Sequence, residues 1–191
     1  MKNGVFFRKQ KGEITVFQPE KWNITTQRLL LRPFRAEDAA EVERLCSEEE
    51  ISKGTTLPHP YPAGAATSWI AAHAEDFELE RGFVFAITDR TDGTLYGCIS
   101  LTHNAHSNNG ELGYWVGTEY WGRGYATEAA AALCDWAFAR GYHRVFAQHF
   151  GSNPASGRVM QKLGMRYEGT LREHFLKNGV YEDLVRYGLV R

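Results

Sequence analysis

Glu111-Leu-Gly-Tyr-Trp-Val-Gly-Thr-Glu-Tyr-Trp-Gly-Arg-Gly-Tyr-Ala-Thr-Glu128 runs directly into the alanine-rich segment Ala129 to Ala132. Its first part alternates like a strand as far as Gly117. A loop with glycines at 122 and 124 follows, and then a helical pattern begins. That order sets several backbone N–H groups, with few side chains in the way, at the positive end of a helix dipole. Such a place suits a phosphate-bearing ligand. A triphosphate loop counted from Gly117 fails, because the residue that would hold magnesium is Gly124 and lacks a hydroxyl. A dinucleotide fingerprint would need a small residue at Thr127 and an N-terminal βαβ setting. The remaining alternative to a phosphate site is a strand-to-helix turn whose glycines serve backbone geometry alone.

The surroundings of the loop are informative. Trp121-Gly-Arg-Gly-Tyr-Ala126 resembles the acyl-CoA loop of the GCN5-related N-acetyltransferases, with Gly124 and Ala126 on its two small positions. Trp121 stands where that family usually has Gln or Arg. Asn153-Pro-Ala-Ser156, continuing to Lys162-Leu-Gly-Met165, resembles the family's second motif. Upstream, Thr26-Gln-Arg-Leu-Leu-Leu-Arg-Pro33 is similar to the first strand of its RimJ/RimL-like, ribosomal-protein branch. The three motifs occur in the family's order.

The resemblance implies an α/β fold: a single mixed, mostly antiparallel sheet with a splayed pair of parallel strands. It also implies acetyl-CoA as co-substrate. Backbone groups around Trp115 and Val116 would bond the pantetheine, and the amides of Gly122, Arg123, Gly124, Tyr125, Ala126 and Thr127 would carry the pyrophosphate. Trp121, Asn153 and Ser156 would also touch the cofactor. The chemistry implied is direct attack of a neutral amine on the thioester, which needs positioning, oxyanion stabilisation and the handling of two protons.

Ser156 is the position at which RimL-like enzymes have a serine proposed to protonate the thiolate; the plainer reading is a helix serine that only contacts the cofactor. Many relatives place an acid tyrosine four residues later, and Met160 there excludes it. Glu111, Glu173 and His174 are the candidate bases. Phe175 aligns with the RimL-like glutamate, so that role does not transfer directly. At pH 7 about a tenth of an α-amine is neutral, against roughly one part in a few thousand of a lysine. The gap is on the order of 3 kcal/mol, comparable to what a general base supplies. The absence of an obvious base therefore favours a protein N-terminus as acceptor, of ribosomal type. A small-molecule amine (polyamine, antibiotic or amino acid) and a non-catalytic acyl-CoA-binding module are the competing readings.

With 191 residues, 43% of them hydrophobic and 24% charged, the chain suits one globular domain. We divide it into an extension over 1–23 and the acetyltransferase domain over 24–191. A net charge of -1 gives no basic field for direct nucleic-acid binding. No apolar run approaches a membrane span. Cys46, Cys98 and Cys134 are too widely spaced for a disulfide or zinc pattern, which suits a cytoplasmic protein. His103-Asn-Ala-His106 fits no standard ligand spacing, so no metal is expected. A homodimer is a candidate assembly.

Along the chain the patterns predict a short strand near Ile14 to Phe17 and another over 29–34. A helix follows over 36–46, then a loop from Ser52 to Gly64, and a helix over 65–81 closed by Gly82. Two strands flank Asp89 to Gly93, and the Glu111 strand leads to a helix ending near Gly141. A strand over 145–149 and a helix over 154–163 come next. Last is a hairpin around Lys177-Asn-Gly179. The sum is about seven strands and about four helices.

Overall fold

The computed structural model describes residues 6–8 and 14–191. A two-stranded antiparallel ribbon joins β1 (Phe6–Arg8) to β2 (Ile14–Val16). The remaining strands form one sheet: β3 (Ile24–Thr25), β4 (Leu29–Pro33), β5 (Gly82–Asp89), β6 (Leu95–Asn104), β7 (Asn109–Val116), β8 (Arg144–Phe150), β9 (Arg166–Lys177) and β10 (Val180–Val190). Their spatial order is β3-β4-β5-β6-β7-β8-β10-β9. Every neighbouring pair is antiparallel except β7 and β8.

Among the described residues, five α-helices pack around this sheet: α1 (Ala39–Cys46), α2 (Glu49–Gly54), α3 (Ala65–Glu78), α4 (Tyr125–Ala139) and α5 (Pro154–Lys162). The parallel pair β7–β8 is joined through α4, as a parallel crossover requires. On one face α4 buries Ala129, Ala130, Leu133 and Ala137 against Ile99, Leu101, Leu112, Val116, Val145 and Ala147. Its small residues let the helix axis approach the strands closely. On the other face α1 and α3 bury Val42, Leu45, Cys46, Ala66 and Ile70 against Ala86 and Leu95.

The parallel pairing decides where the site lies. β7 and β8 are in register only from Asn109↔Arg144 to Leu112↔Ala147. Beyond that point β7 stays with β6, from Gly113↔Ser100 to Val116↔Gly97. β8 stays with β10, from Gln148↔Arg186 to Phe150↔Leu184. The sheet therefore opens like a V, and among the described residues each arm has an inner edge without a strand partner.

Several boundaries differ from the sequence reading. Trp22, assigned there to the extension, is buried among Phe77, Phe83 and Trp136, with centroids 5.5, 5.5 and 6.5 Å away. Trp22 thus belongs to the same buried cluster as Phe77 of α3, Phe83 of β5 and Ala137 of α4. α2 occupies the start of the predicted loop at Ser52, since Glu49 and Glu50 in its first turn and Lys53 in its last suit the helix dipole. α3 ends at Glu78, and Gly82 opens β5 instead of closing the helix. The left-handed residue that turns the chain is Glu80 (φ 53), with Glu80 N–H donating to the Phe77 carbonyl and Arg81 N–H to that of Asp76. In contrast Gly141 (φ 89) terminates α4 as expected. Asn178 (φ 50) and Gly179 (φ 80) also make the predicted hairpin turn.

Candidate active site

The loop from Gly117 to Gly124 connects the open end of β7 to the first turn of α4. Gly117 is small for packing, because a Cβ there would lie 2.6 Å from the Leu45 side chain. Gly122 (φ 76) and Gly124 (φ 81) are left-handed, a conformation other residues adopt only with strain. Gly124 is the residue that enters α4. Among the described residues, the backbone amides from Gly122 to Thr127 donate to no protein acceptor. These free donors at a helix start form an anion cradle.

The cradle is braced from the β3–β4 turn. Glu128 accepts from Thr26 Oγ1 at 2.7 Å, Arg28 N–H at 3.0 Å and Arg28 Nε at 2.7 Å. Arg28 also donates to the Arg123 carbonyl at 3.0 Å and lies 4.7 Å above the Tyr125 ring. Tyr125 stacks on Tyr96 at 4.3 Å. Burial alone would raise the Glu128 pKa, but the hydrogen bonds from Thr26 and Arg28 outweigh it and hold the carboxyl below its ordinary value. The Arg123 guanidinium reaches over Tyr120 at 5.9 Å. The exposed Trp121 donates its indole N–H to the Val116 carbonyl at 2.6 Å, which ties the loop back to the strand.

A cleft of about 500 Å³ occupies the V. Gly113, Tyr114 and Trp115 line one arm, and Gln148, His149 and Phe150 the other. Glu111 sits near the fork and accepts from Gln148 Nε2 at 2.8 Å. Gln148 Oε1 in turn accepts from Arg186 at 3.2 Å, so the amide is oriented from both ends. A smaller hollow of about 220 Å³ lies near Glu80, His103 and Arg140, where Arg140 is stacked 4.4 Å from Trp136.

Ser156, in the first turn of α5, lines the cleft. Asn153 caps that helix: its Oδ1 accepts the Ser156 N–H at 3.2 Å, and its Nδ2 donates to the Gly54 carbonyl at 3.1 Å. Asn153 therefore secures the serine and the cleft's far wall. That wall is pinned again by Lys177, which donates to the carbonyls of Thr55 and Leu57, the latter at 3.1 Å. Opposite Ser156 stands Tyr114, whose hydroxyl lies 2.9 Å from Ser156 Oγ and donates to the Ser156 carbonyl at 3.0 Å. The motifs left Tyr114 unmarked: its only signal was an aromatic residue in the β7 alternation, 42 positions from its partner.

Glu111 and Ser156 are thus brought to one cleft; Glu173 and His174 are not. β9 bulges between Leu171 and Phe175, placing Arg172, Glu173 and His174 opposite the single residue Asp183. Glu173 is left-handed there (φ 46), its N–H donates to Asp183 Oδ1 at 2.7 Å, and the side chains of Glu173 and His174 are exposed. The bulge removes them from the strand alternation, and Phe175 lines the cleft instead. Trp69 lines it too. Met160 is buried in the core. Burial pushes the thiols of Cys46 and Cys134 up to about 12 and that of Cys98 higher still, so none supplies a thiolate nucleophile. Among the described residues no three His, Cys, Asp or Glu side chains gather as a metal set. No described helix is long and apolar enough to cross a membrane.

A family model described as "Acetyltransferase (GNAT) domain" matches residues 28–166. The uncharacterized N-acetyltransferase YoaA of Bacillus subtilis is 30% identical over 88% of this chain and 96% of its own. YdaF of the same organism, provisionally named a ribosomal N-acetyltransferase, is 31% identical over 85% and 89%. Spermidine N(1)-acetyltransferase of Escherichia coli is 28% identical over 82% of each. In fold, the chain is similar to the ribosomal L7/L12 α-N-protein acetyltransferase RimL solved with coenzyme A. The TM-score is 0.82 at 17% identity, over 88% of this chain and 97% of that one.

Proposed function

Because the chain belongs to the acetyltransferase (GNAT) family, we propose that it transfers the acetyl group of acetyl-CoA to the α-amine at a polypeptide N-terminus. The observation that carries the acceptor is the charge of the cleft. Among the described residues lining it, Glu111 is the one carboxylate. A polyamine brings several cations and would leave all but one without a counter-charge in a partly desolvated cleft. An N-terminal α-amine brings one. The name and similarity of YdaF support the same acceptor class, and ribosomal proteins are candidate substrates.

The inner edge of β7 from Gly113 to Val116, which has no strand partner among the described residues, suits the amide-bearing pantetheine arm, and the Gly122–Thr127 cradle suits the pyrophosphate. A side chain at Gly124 would require a strained φ where the anion must approach the backbone. Trp121 acts by fixing the loop to Val116. Bound acetyl-CoA supplies an activated acyl carbon. Glu111, held by Gln148, receives the proton that the attacking amine loses. Ser156 faces the leaving sulfur as proton donor, with Asn153 fixing its backbone.

Thiol release from acetyl-CoA tests this with three acceptor sets: peptides with free N-termini, the same peptides with blocked N-termini but a free lysine, and spermidine. Turnover confined to the first set is expected. Preferential turnover of spermidine would overturn the acceptor assignment.

A further inference from the structure

We propose that Tyr114 is the second proton donor of the acetyl-transfer site: it resupplies Ser156, so the serine protonates the departing thiolate without ending as an alkoxide. The inference rests on the reading that acetyl-CoA lies in the cleft between β7 and β8.

A serine hydroxyl is a weak acid, far weaker than a phenol, whose ordinary pKa is about 10. Left alone, Ser156 would have to carry a localised alkoxide after giving up its proton. Tyr114 lowers that cost. Its single O–H proton has two acceptors in reach, the Ser156 carbonyl at 3.0 Å and Ser156 Oγ at 2.9 Å. When it donates to the carbonyl, Ser156 can point its own proton back at the phenol. Turning the tyrosine proton onto Oγ frees the serine proton to face the cleft. Both residues line that cleft, and Met160, at the alternative acid position, is an apolar core residue.

The pair is also held still. Asn153 bonds the Ser156 N–H, and the backbone of Tyr114 is paired in register with Ile99. Burial pushes the Tyr114 phenol up to about 12, against the opposing effect of the Ser156 hydrogen bond, so it keeps its proton through the neutral range.

The step balances as follows. The amine nitrogen forms a bond to the acyl carbon and the carbon–sulfur bond breaks. The sulfur takes the Ser156 proton while Ser156 Oγ takes that of Tyr114. The phenolate recovers a proton from solvent, matching the one the amine released through Glu111.

Tyr114→Phe keeps the ring and deletes the donor. We expect kcat to fall about 10–100-fold with the KM for acetyl-CoA changed less than about twofold. A binding readout separates a relay from mere packing. In the complex with coenzyme A alone, the thiolate ultraviolet absorbance should titrate at higher pH in Tyr114→Phe than in the parent protein, and likewise in Ser156→Ala. The double variant should be no slower than the slower single variant. An unchanged thiol titration in folded Tyr114→Phe, or losses in kcat that multiply, would overturn the relay. A shifted titration in both variants without turnover of any peptide would support the relay and defeat the acceptor assignment.

Discussion

Glu111 stands where the sheet divides, the last but one paired residue before β7 and β8 separate. Its position there comes from strand register, and its orientation from Gln148, which is itself oriented by Arg186. A carboxylate so placed is expected to act on an amine entering through the V. Glu111→Gln should lower kcat about 10²-fold, with the deficit shrinking as pH rises, because solvent hydroxide increasingly takes the proton that the attacking amine must lose. A pH–rate profile of parent and variant on one peptide checks this, and parallel profiles would deny Glu111 the role. In the loop that follows β7, Gly124 adopts φ 81 to start α4. A β-branched residue there costs about 1–2 kcal/mol in that conformation and crowds the amides that face the anion. Gly124→Val should therefore raise the acetyl-CoA Kd about tenfold or more, measured by calorimetry. Unchanged affinity in a folded variant would remove the pyrophosphate from this loop.

At the scale of elements, the cradle depends on an interaction between distant segments. Glu128 in the first turn of α4 binds the β3–β4 turn through Thr26 and Arg28. Its carboxyl titrates below the ordinary value in the folded state, so the clamp contributes stability above the unfolded-state pKa. That contribution is lost as pH falls through the lowered folded-state value. Glu128→Gln should weaken acetyl-CoA binding several-fold at neutral pH while leaving kcat at saturation nearly unchanged. Equal Kd values by calorimetry would show that the loop is ordered without the clamp. The loop, α4 and α5 were legible in the sequence because their signals are local: the Gly-x-Gly turn, the alanine face, and Asn153-Pro154 at a helix start. The clamp, the Tyr114–Ser156 pair and the bulge at Glu173 were not. Each depends on tertiary pairing across many residues, and a bulge changes which side chains share a face without changing the strand's composition. Glu80 taking the left-handed position ahead of Gly82 has the same origin, since the nearest glycine was already committed to β5.

For the whole molecule, burial of polar groups sets the response to acid. His73 is buried on α3, 4.3 Å from Trp69, and its Nδ1 has no partner among the described residues. Burial pushes its pKa from 6.5 to about 4. Above the unfolded-state value this neutral imidazole carries no proton-linked penalty. As pH falls through that window the unfolded chain takes up a proton that the folded chain refuses, and stability drops by up to about 3 kcal/mol. Urea unfolding across the window should show the slope, and His73→Leu should flatten it. An unchanged slope in the variant would assign acid sensitivity to other groups.

On the proposed reading, one amine, carried on a polypeptide N-terminus, meets acetyl-CoA in the V between β7 and β8. Mass spectrometry of peptides incubated with the protein and acetyl-CoA tests it most directly. Peptides bearing both a free α-amine and an internal lysine should gain a single acetyl group, located at the N-terminus by fragmentation. The Glu111→Gln variant should slow that gain. Acetylation on the lysine, or no peptide acetylation alongside rapid acetylation of spermidine, would rule out the N-terminal acceptor.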